Sequence, residues 1–175
     1  MKTLYIIPTG DEIRDGTVLD LDSPAIMEQM LRADPAAAVV RIAPVQDVED
    51  AILHKIREIV ELKPDLVVLI GGSGGGHRFV KSLGKDFTHT ALERYLSEYA
   101  AHEIYGKNGH LWTRLLCGKK DNTVVLNVPG PFDEARAAFS AYLKASEEGK
   151  SLDDISRAMA QAVYEQYPAG AANPV

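Results

Sequence analysis

The chain has 175 residues, of which 46% are hydrophobic and 25% are charged, and its formal net charge is −6. These values are typical of one ordinary globular domain and exclude disordered and fibrous classes. Net acidity with scattered Lys and Arg offers no basic surface for a nucleic-acid backbone. A single cysteine, Cys117, excludes an internal disulfide and predicts a reducing, cytoplasmic location.

The first elements in chain order alternate strand and helix. Leu4-Tyr5-Ile6-Ile7 is a short apolar, β-prone run, too short to cross a membrane, and Pro8-Thr9-Gly10 closes it. Ser23 and Pro24 predict an N-cap and a first-turn proline for a helix. Val39-Val40-Arg41-Ile42 predicts a second strand.

A longer helix and a central strand come next. Asp47 is the expected cap of this helix, whose apolar face carries Val48, Ile52, Ile56, Ile59 and Val60. Leu66-Val67-Val68-Leu69-Ile70 is an uninterrupted apolar run, as expected for a strand buried on both faces. Gly71 to Gly76 follow at once. This order predicts a layered α/β domain with its ligand beyond the carboxyl ends of the strands.

The second half of the chain is less regular. Leu111, Leu115 and Leu116 suggest a short helix or turn between Ala101 and Asp121. Further elements are predicted as a strand over Thr123–Val128, a helix over Phe132–Lys144 and a helix over about Leu152–Tyr164. The segment from Pro168 is rich in Ala, Gly, Asn and Pro and is expected to fray. The predicted domain therefore covers residues 1–167, and residues 168–175 form a flexible tail.

The glycine-rich loop is the first candidate for chemistry. Its backbone N–H groups can approach an anion without interference from Cβ atoms, and the Ser73 hydroxyl is an additional partner. A mobile linker or a tight turn is the alternative. The loop lacks the Gly-Lys-Ser/Thr ending of a nucleotide P-loop, and His77 stands where a dinucleotide fingerprint needs glycine. Arg78 can contact a phosphate at the rim. The loop residues expected to bind are Gly71, Gly72, Ser73, Gly74 and Gly75.

Three further segments complete the predicted pocket. Asp86 and Thr88 precede a helix running from Ala91, where a carboxylate can hold Mg²⁺ on phosphate oxygens or can simply cap the helix. Two more loops follow the first and last strands and are expected at the same sheet edge, although either one alone is typical of a turn. Their candidate binding residues are Thr9, Gly10, Asp11, Glu12, Pro129 and Gly130.

These motifs together resemble a known family. Thr9-Gly10-Asp11-Glu12-Ile13, with Gly16 and Asp20-Leu21-Asp22-Ser23, resembles the opening of molybdopterin-binding-like domains related to the competence-damage-inducible protein family. Leu69 to Gly74, with Asp86-Phe87-Thr88 downstream, resembles the Gly-Gly-Thr-Gly and Arg-Asp-x-Thr signature of molybdopterin adenylyltransferases. Thr113-Arg114, Gly118 and Leu126 to Gly130 are similar to the final segment of that family.

The resemblance covers about Leu4 to Leu143 and carries several expectations. It implies a three-layer α/β/α sandwich with a mostly parallel sheet, binding of molybdopterin or its adenylylated form, Mg²⁺ dependence, and a homotrimer. The reaction it implies is adenylyl transfer from ATP, a transferase activity in molybdenum cofactor biosynthesis. The expected catalytic residues are Asp86 and Asp47, and the expected metal ligand is Asp86.

Two other functions stay open at this point. One is a non-catalytic protein that binds a pterin or nucleotide, and two departures from the family favour it. Val45 follows Pro44 where the family has an aspartate, and the segment between Gly76 and Asp86 is longer than the family's link. The other is a hydrolase of nucleotide pyrophosphates, suggested by the opening motif. No membrane or nucleic-acid partner is expected in any of these cases.

Overall fold

The computed structural model describes residues 2–75 and 86–175 of the chain. Within these ranges six strands form one sheet in the order β2-β1-β3-β6-β5-β4. The strands are β1 (Thr3–Pro8), β2 (Ala38–Arg41), β3 (Leu66–Ile70), β4 (Glu98–Tyr105), β5 (Leu111–Lys120) and β6 (Thr123–Val128). The helices are α1 (Asp11–Arg14), α2 (Asp22–Ala33), α3 (Glu49–Val60), α4 (Thr88–Tyr95), α5 (Phe132–Glu147) and α6 (Leu152–Tyr164).

The sheet is covered by helices on both faces. Strands β2, β1, β3 and β6 pair in parallel, and β5 pairs antiparallel with both β6 and β4. One core lies between the sheet and the helices α2, α5 and α6, and includes Ile26, Phe139 and Met159. A second core lies between the opposite face and the helices α3 and α4. This arrangement confirms the predicted three-layer α/β/α sandwich with a mostly parallel sheet.

The elements of the parallel half agree closely with the sequence prediction. All five residues of β3 are buried because helices cover both of its faces, as its unbroken apolar run predicts. On α3 the predicted apolar face is buried except at Val48, which is 43% exposed. Strands β1, β2 and β6 and helices α5 and α6 also lie within a few residues of their predicted positions.

The prediction of a short helix or turn between Ala101 and Asp121 is wrong. This stretch forms most of an antiparallel hairpin, in which β4 pairs with β5 in the register Glu103 opposite Arg114. Leu115 packs in the core beside α5 and α6, whereas Leu116 packs in the core beside α3 and α4. Adjacent leucines on opposite faces of a covered strand give no alternating pattern, and this hides the strand in the sequence.

Two predicted helix caps are also wrong. Ser23 lies inside α2, and its backbone N–H donates to the Asp20 carboxylate at 2.9 Å. Asp20 therefore accepts a hydrogen bond from one of the free N–H groups in the first turn of this helix. Helix α3 begins at Glu49 with Val48 at the N-cap, and Asp47 makes no cap hydrogen bond to it. The Asp47 side chain lies instead near Asp86 and Phe87.

The last residues contact the β4–β5 hairpin. Ala172 is 2% exposed and forms an isolated bridge with Gly106. The Asn173 N–H donates to the Tyr105 carbonyl at 2.8 Å, and the Lys107 N–H donates to the Ala171 carbonyl at 3.2 Å. Residues 171–173, for which the composition predicts fraying, are thus fastened to the hairpin through their backbone.

The strand order reverses at β1 and β3. From β1 the chain crosses through α2 to β2 on one side, and from β2 it crosses through α3 to β3 on the other side. Ligands of open α/β sheets bind where the strand order reverses in this way. None of the helices within the described residues combines the length and apolar character needed to cross a membrane.

Candidate functional site

The glycine loop starts with two residues in the left-handed region. Gly71 has a φ of +89° and Gly72 a φ of +61°. A Cβ at Gly72 would lie 2.3 Å from the Thr88 Oγ1, so no larger residue fits between the loop and α4. The Gly71 N–H donates to the Val128 carbonyl at 3.1 Å, and this bond brings the loop next to the end of β6. A sharp turn therefore leads from β3 into the site.

The loop then runs alongside the first half of β5. The Arg114 N–H donates to the Ser73 carbonyl at 2.7 Å, and the Gly75 N–H donates to the Leu111 carbonyl at 3.2 Å. Ser73 is 5% exposed, and its Oγ accepts a hydrogen bond from the Thr113 hydroxyl at 2.9 Å. These three bonds hold the loop in one place. The described part of the loop, up to Gly75, therefore lies along β5 in a fixed position.

The hydrogen bonds of the loop leave donors in its middle. No backbone carbonyl of the described residues accepts from the N–H groups of Gly72, Ser73 or Gly74. Consecutive N–H groups in such a turn form a concave site for an anion. Gly76, His77 and Arg78, which the sequence assigns to the loop and its rim, lie outside the described residues.

Two buried threonines join the loop to its neighbours. The Thr9 hydroxyl donates to the Ile70 carbonyl at 2.8 Å and lies 3.1 Å from the Thr88 hydroxyl. The Thr88 N–H donates to the Gly72 carbonyl at 3.1 Å. Thr9 is 4% and Thr88 0% exposed, so both hold the edge of the site in place from the protein interior.

The other predicted loops meet at the same edge. The Gly10 N–H donates to the Val45 carbonyl at 3.1 Å, which places the start of α1 beside the segment between β2 and α3. Pro129 follows β6 directly, and a Cβ on Gly130 would lie 3.8 Å from the Gly71 Cα. The structure thus brings together the ends of β1, β3 and β6, as the sequence predicts.

A group of carboxylates surrounds Asp47. Burial, and then the negative charges of Asp86, Glu12 and Asp11, raise the pKa of Asp47 to about 6. A hydrogen bond from the Phe87 N–H opposes this rise, and this contact joins Asp47 to the residue before Thr88. Asp47 and Asp86 therefore lie together at the start of α4, next to the glycine loop.

Val45 stands where the family resemblance leads us to expect an aspartate, and it lies in the core. Val45 is 8% exposed, and its backbone pairs with Pro8 and Gly10, so its side chain belongs to the core. Asp47, two residues later, carries the carboxylate that lies near Asp86. Sequence spacing alone does not reveal which of these two side chains lies near Asp86, because the turn between Val45 and α3 decides it.

The Asp47 carboxylate fits a divalent cation. Its Oδ1 is buried and has no hydrogen-bond partner among the described residues, and a buried oxygen of this kind is a suitable ligand for Mg²⁺. Within residues 2–75 and 86–175, no group of three or more His, Cys, Asp or Glu residues could hold a metal ion. A cation here would depend on one or two carboxylates together with oxygens of the ligand, as Mg²⁺ in phosphate sites does.

Three residues of the site were not assigned a role in it from the sequence. Thr113 donates to Ser73, and the buried Asn127 links Leu116 N–H and Arg114 carbonyl through its side chain amide. The His89 Nε2 lies 3.1 Å from the Gly74 carbonyl. Thr113 and Asn127 stand in segments that resemble the family, and that position was their only signal, because burial of a polar residue leaves no periodic pattern.

The comparisons with known proteins agree with this geometry. A family model described as "probable molybdopterin binding domain" matches residues 5–147. No curated protein is similar to the chain at a significant level.

Several solved structures share the fold. A molybdopterin biosynthesis enzyme MoaB from Thermus thermophilus is 22% identical, with a TM-score of 0.62, over 89% of this chain and 97% of that one. A molybdopterin biosynthesis Mog protein from Mycobacterium ulcerans is 20% identical, with a TM-score of 0.63, over 89% and 99%. The protein CinA from Thermoplasma acidophilum, of unknown function, is 20% identical, with a TM-score of 0.59, over 85% and 97%.

Proposed function

Because the chain belongs to the family of probable molybdopterin binding domains, we propose that it binds molybdopterin and transfers an adenylyl group to it from ATP with the help of Mg²⁺. The single observation that carries this proposal is the position of Asp47. Its buried Oδ1 has no hydrogen-bond partner in the part of the chain that the structure describes, and it lies among carboxylates next to the N–H groups of the glycine loop. An anion site and a cation site side by side suit a metal-bound phosphate better than either does alone.

The glycine loop holds the phosphate in this proposal. The N–H groups of Gly72, Ser73 and Gly74 donate to phosphate oxygens, and the backbone bonds to β5 keep them in position before the ligand arrives. A preformed loop loses little conformational entropy on binding, which favours affinity. Thr9 and Thr88 support the loop from beneath, and Pro129 and Gly130 close the side next to β6.

Asp47 and Asp86 hold the cation. A bound cation would offset their mutual repulsion in the free protein, so the cation and the phosphate would bind together more tightly than either alone. When bound, Mg²⁺ neutralises charge on the phosphates of ATP. The two aspartates act on the reaction by positioning that charge.

The reaction itself needs orientation more than bond-making groups. The terminal phosphate oxygen of the pterin forms a bond to the α-phosphorus of ATP, the bond from that phosphorus to the bridging oxygen of the β-phosphate breaks, and pyrophosphate leaves. No proton has to be removed from the attacking phosphate when it is ionised. The residues of this chain align the two phosphates in line and exclude water.

A combined binding and turnover measurement tests the proposal. The protein is incubated with molybdopterin, ATP and Mg²⁺, and retention of the pterin and release of pyrophosphate are recorded. Pyrophosphate release that requires all three supports the transferase. Retention of the pterin without pyrophosphate identifies a binding protein, release of nucleoside monophosphate without pterin identifies a pyrophosphate hydrolase, and absence of retention contradicts the proposal altogether.

Three further properties belong to the same proposal. We expect a homotrimer, a cytoplasmic location, and a single domain over residues 1–167, as the family resemblance and the composition imply. Light scattering during size-exclusion chromatography measures the mass of the assembly. A mass of one or two chains contradicts the trimer and leaves the proposed reaction untouched.

A further inference from the structure

The Ser73 hydroxyl is held by a neighbour that the proposed reaction does not use. The Thr113 Oγ1 donates to the Ser73 Oγ at 2.9 Å, and the two residues are 1% and 5% exposed. The backbone of Ser73 is fixed too, because its carbonyl accepts from the Arg114 N–H at 2.7 Å. The remaining freedom of Ser73 is the direction of its own O–H bond.

Thr113 decides that direction. A hydroxyl carries one hydrogen and two lone pairs, so a Ser73 oxygen that accepts from Thr113 must direct its own hydrogen elsewhere. Among the described residues the Ser73 hydroxyl donates to no acceptor. A buried donor without an acceptor is costly, and an incoming oxygen relieves that cost.

We propose that Thr113 is a positioning residue that makes the Ser73 hydroxyl a hydrogen-bond donor to a phosphate oxygen of the ligand. This inference rests on the proposed function and adds to it which group donates in one hydrogen bond, the bond between Ser73 and the phosphate. Thr113 suits the task because its β-branched side chain has few rotamers in a strand, so its hydroxyl stays directed at Ser73. Ser73 then presents a donor beside the N–H groups of the loop.

The test compares two substitutions at Thr113 with a matched control elsewhere. Thr113→Val keeps the shape and removes the donor, and Thr113→Ser keeps the donor. Thr123→Val is the control, since Thr123 is also buried, at 3% exposure, and its hydroxyl donates to the Pro64 carbonyl at 2.7 Å. Affinity for inorganic pyrophosphate and for ATP, each with Mg²⁺, is measured by calorimetry, and unfolding is measured with urea.

The inference predicts a specific pattern. Thr113→Val weakens the binding of both ligands about tenfold, because the Ser73 hydroxyl is no longer held as a donor and its hydrogen bond to the charged oxygen weakens. Thr113→Ser keeps the affinity of the unmodified protein. Thr123→Val lowers the stability of the fold but leaves the affinity for both ligands unchanged. In a Ser73→Ala background Thr113→Val has no further effect on affinity, because the group through which it acts is gone.

Two different failures are distinguishable. If the unmodified protein binds both probes and Thr113→Val binds them equally well, the role of Thr113 is wrong while the phosphate site stands. The role of Thr113 is also wrong if Thr113→Val lowers the affinity equally in the unmodified protein and in the Ser73→Ala background. If the unmodified protein binds neither pyrophosphate nor ATP, the proposed function fails and this inference fails with it.

Discussion

At the scale of single residues, Asp47 combines a cost to the fold with a proposed role as a ligand of the cation. Burial and neighbouring carboxylates raise its pKa to about 6, so at neutral pH it is ionised against the preference of its surroundings. Functional sites commonly keep groups of this kind. A cation held by these aspartates, as proposed, would offset the unfavourable interaction, and asparagine in place of Asp47 would abolish it.

Asp47→Asn should therefore change stability and affinity in opposite directions. Without Mg²⁺ the variant should be more stable by about 1 kcal/mol, because the cost of burying a charge and then the repulsion from its neighbours are removed. Its Mg²⁺-dependent affinity for ATP should fall at least tenfold, because the charge that attracts the cation is lost. Asp86→Asn should lose the same Mg²⁺ effect. Titrations with and without Mg²⁺, together with urea unfolding, measure both quantities.

Asp121→Asn is the matched control for these substitutions. Asp121 lies in the turn between β5 and β6 with a φ of +53°, a conformation that asparagine also adopts readily. The same chemical change there should leave the Mg²⁺ effect intact. If Asp47→Asn and Asp86→Asn retain the full Mg²⁺ effect as well, the two carboxylates do not hold the cation.

Asp22 gives a prediction about pH. It is 8% exposed, and burial followed by the charge of Asp20 raises its pKa to about 6 from a usual value of 3.8. The folded protein thus binds this proton more tightly than the unfolded chain does. The resulting stability is fully present below about pH 4 and is lost as the pH rises towards 6, an effect of roughly 1 to 3 kcal/mol.

Asp22→Asn should remove that pH dependence. The difference in stability between the variant and the unmodified protein should grow in favour of the variant as the pH rises from 4 to 7.5. Urea unfolding at both pH values measures it. A difference that is the same at pH 4 and pH 7.5 would show that Asp22 ionises normally in the folded protein.

At the scale of elements, Arg114 joins α4 to the β4–β5 hairpin. Its guanidinium forms ion pairs with Glu93 of α4 and Glu103 of β4, and the Tyr105 hydroxyl donates to Glu103 at 2.7 Å. The Arg114 side chain is 27% exposed, so water screens these pairs only in part. The start of α4 carries Thr88, and the hairpin holds the glycine loop, so this contact fixes two parts of the site relative to each other.

Replacing Arg114 should be costly for that reason. Arg114→Met leaves two half-buried carboxylates facing each other and should destabilise the protein by roughly 1 to 3 kcal/mol. The control is Arg32→Met, since Arg32 is 78% exposed in its pair with Glu28 and should contribute less than about 0.5 kcal/mol. Urea unfolding of both variants gives the comparison. Equal losses would mean that the Arg114 network is no more than a surface ion pair.

The predictability of these elements follows from their surroundings. The parallel strands β1 and β3 have unbroken apolar runs, so their burial on both faces is visible in the sequence. Strand β4 carries Glu98, His102 and Glu103 at a sheet edge, and β5 places Leu115 and Leu116 on opposite faces, so neither shows a strand period. For the site, the glycine loop and Asp86 were predictable as local motifs. The nearness of Asp47 and the contact of Thr113 with Ser73 were not, because each depends on residues at least 39 positions apart meeting in the fold.

At the scale of the whole molecule, the final residues connect to the site through the hairpin. The isolated bridge of Ala172 lies at Gly106, where a Cβ would come within 2.4 Å of the Trp112 Nε1. Trp112 meets the ring of Tyr167 edge-on at 4.8 Å. Leu111, the residue before Trp112, accepts the hydrogen bond from Gly75 of the glycine loop. The end of the chain thus braces the part of β5 on which the loop lies.

Removal of residues 168–175 should consequently weaken this part of the fold. The shortened chain loses the burial of Ala172 and the backbone bonds at Tyr105 and Lys107, which together contribute roughly 1 to 3 kcal/mol. A second shortened chain that ends at Asn173 keeps those contacts and is the control.

Trp112 is the chain's single tryptophan, so its emission reports on this corner of the molecule. The chain ending at Tyr167 should unfold at lower urea and show red-shifted emission, because water reaches the edge of the indole ring, while the chain ending at Asn173 should match the full chain in both. If the two shortened chains are equally stable and their emission is unchanged, residues 171–173 do not brace the hairpin in solution, and the sequence prediction of a frayed tail from Pro168 is the better description.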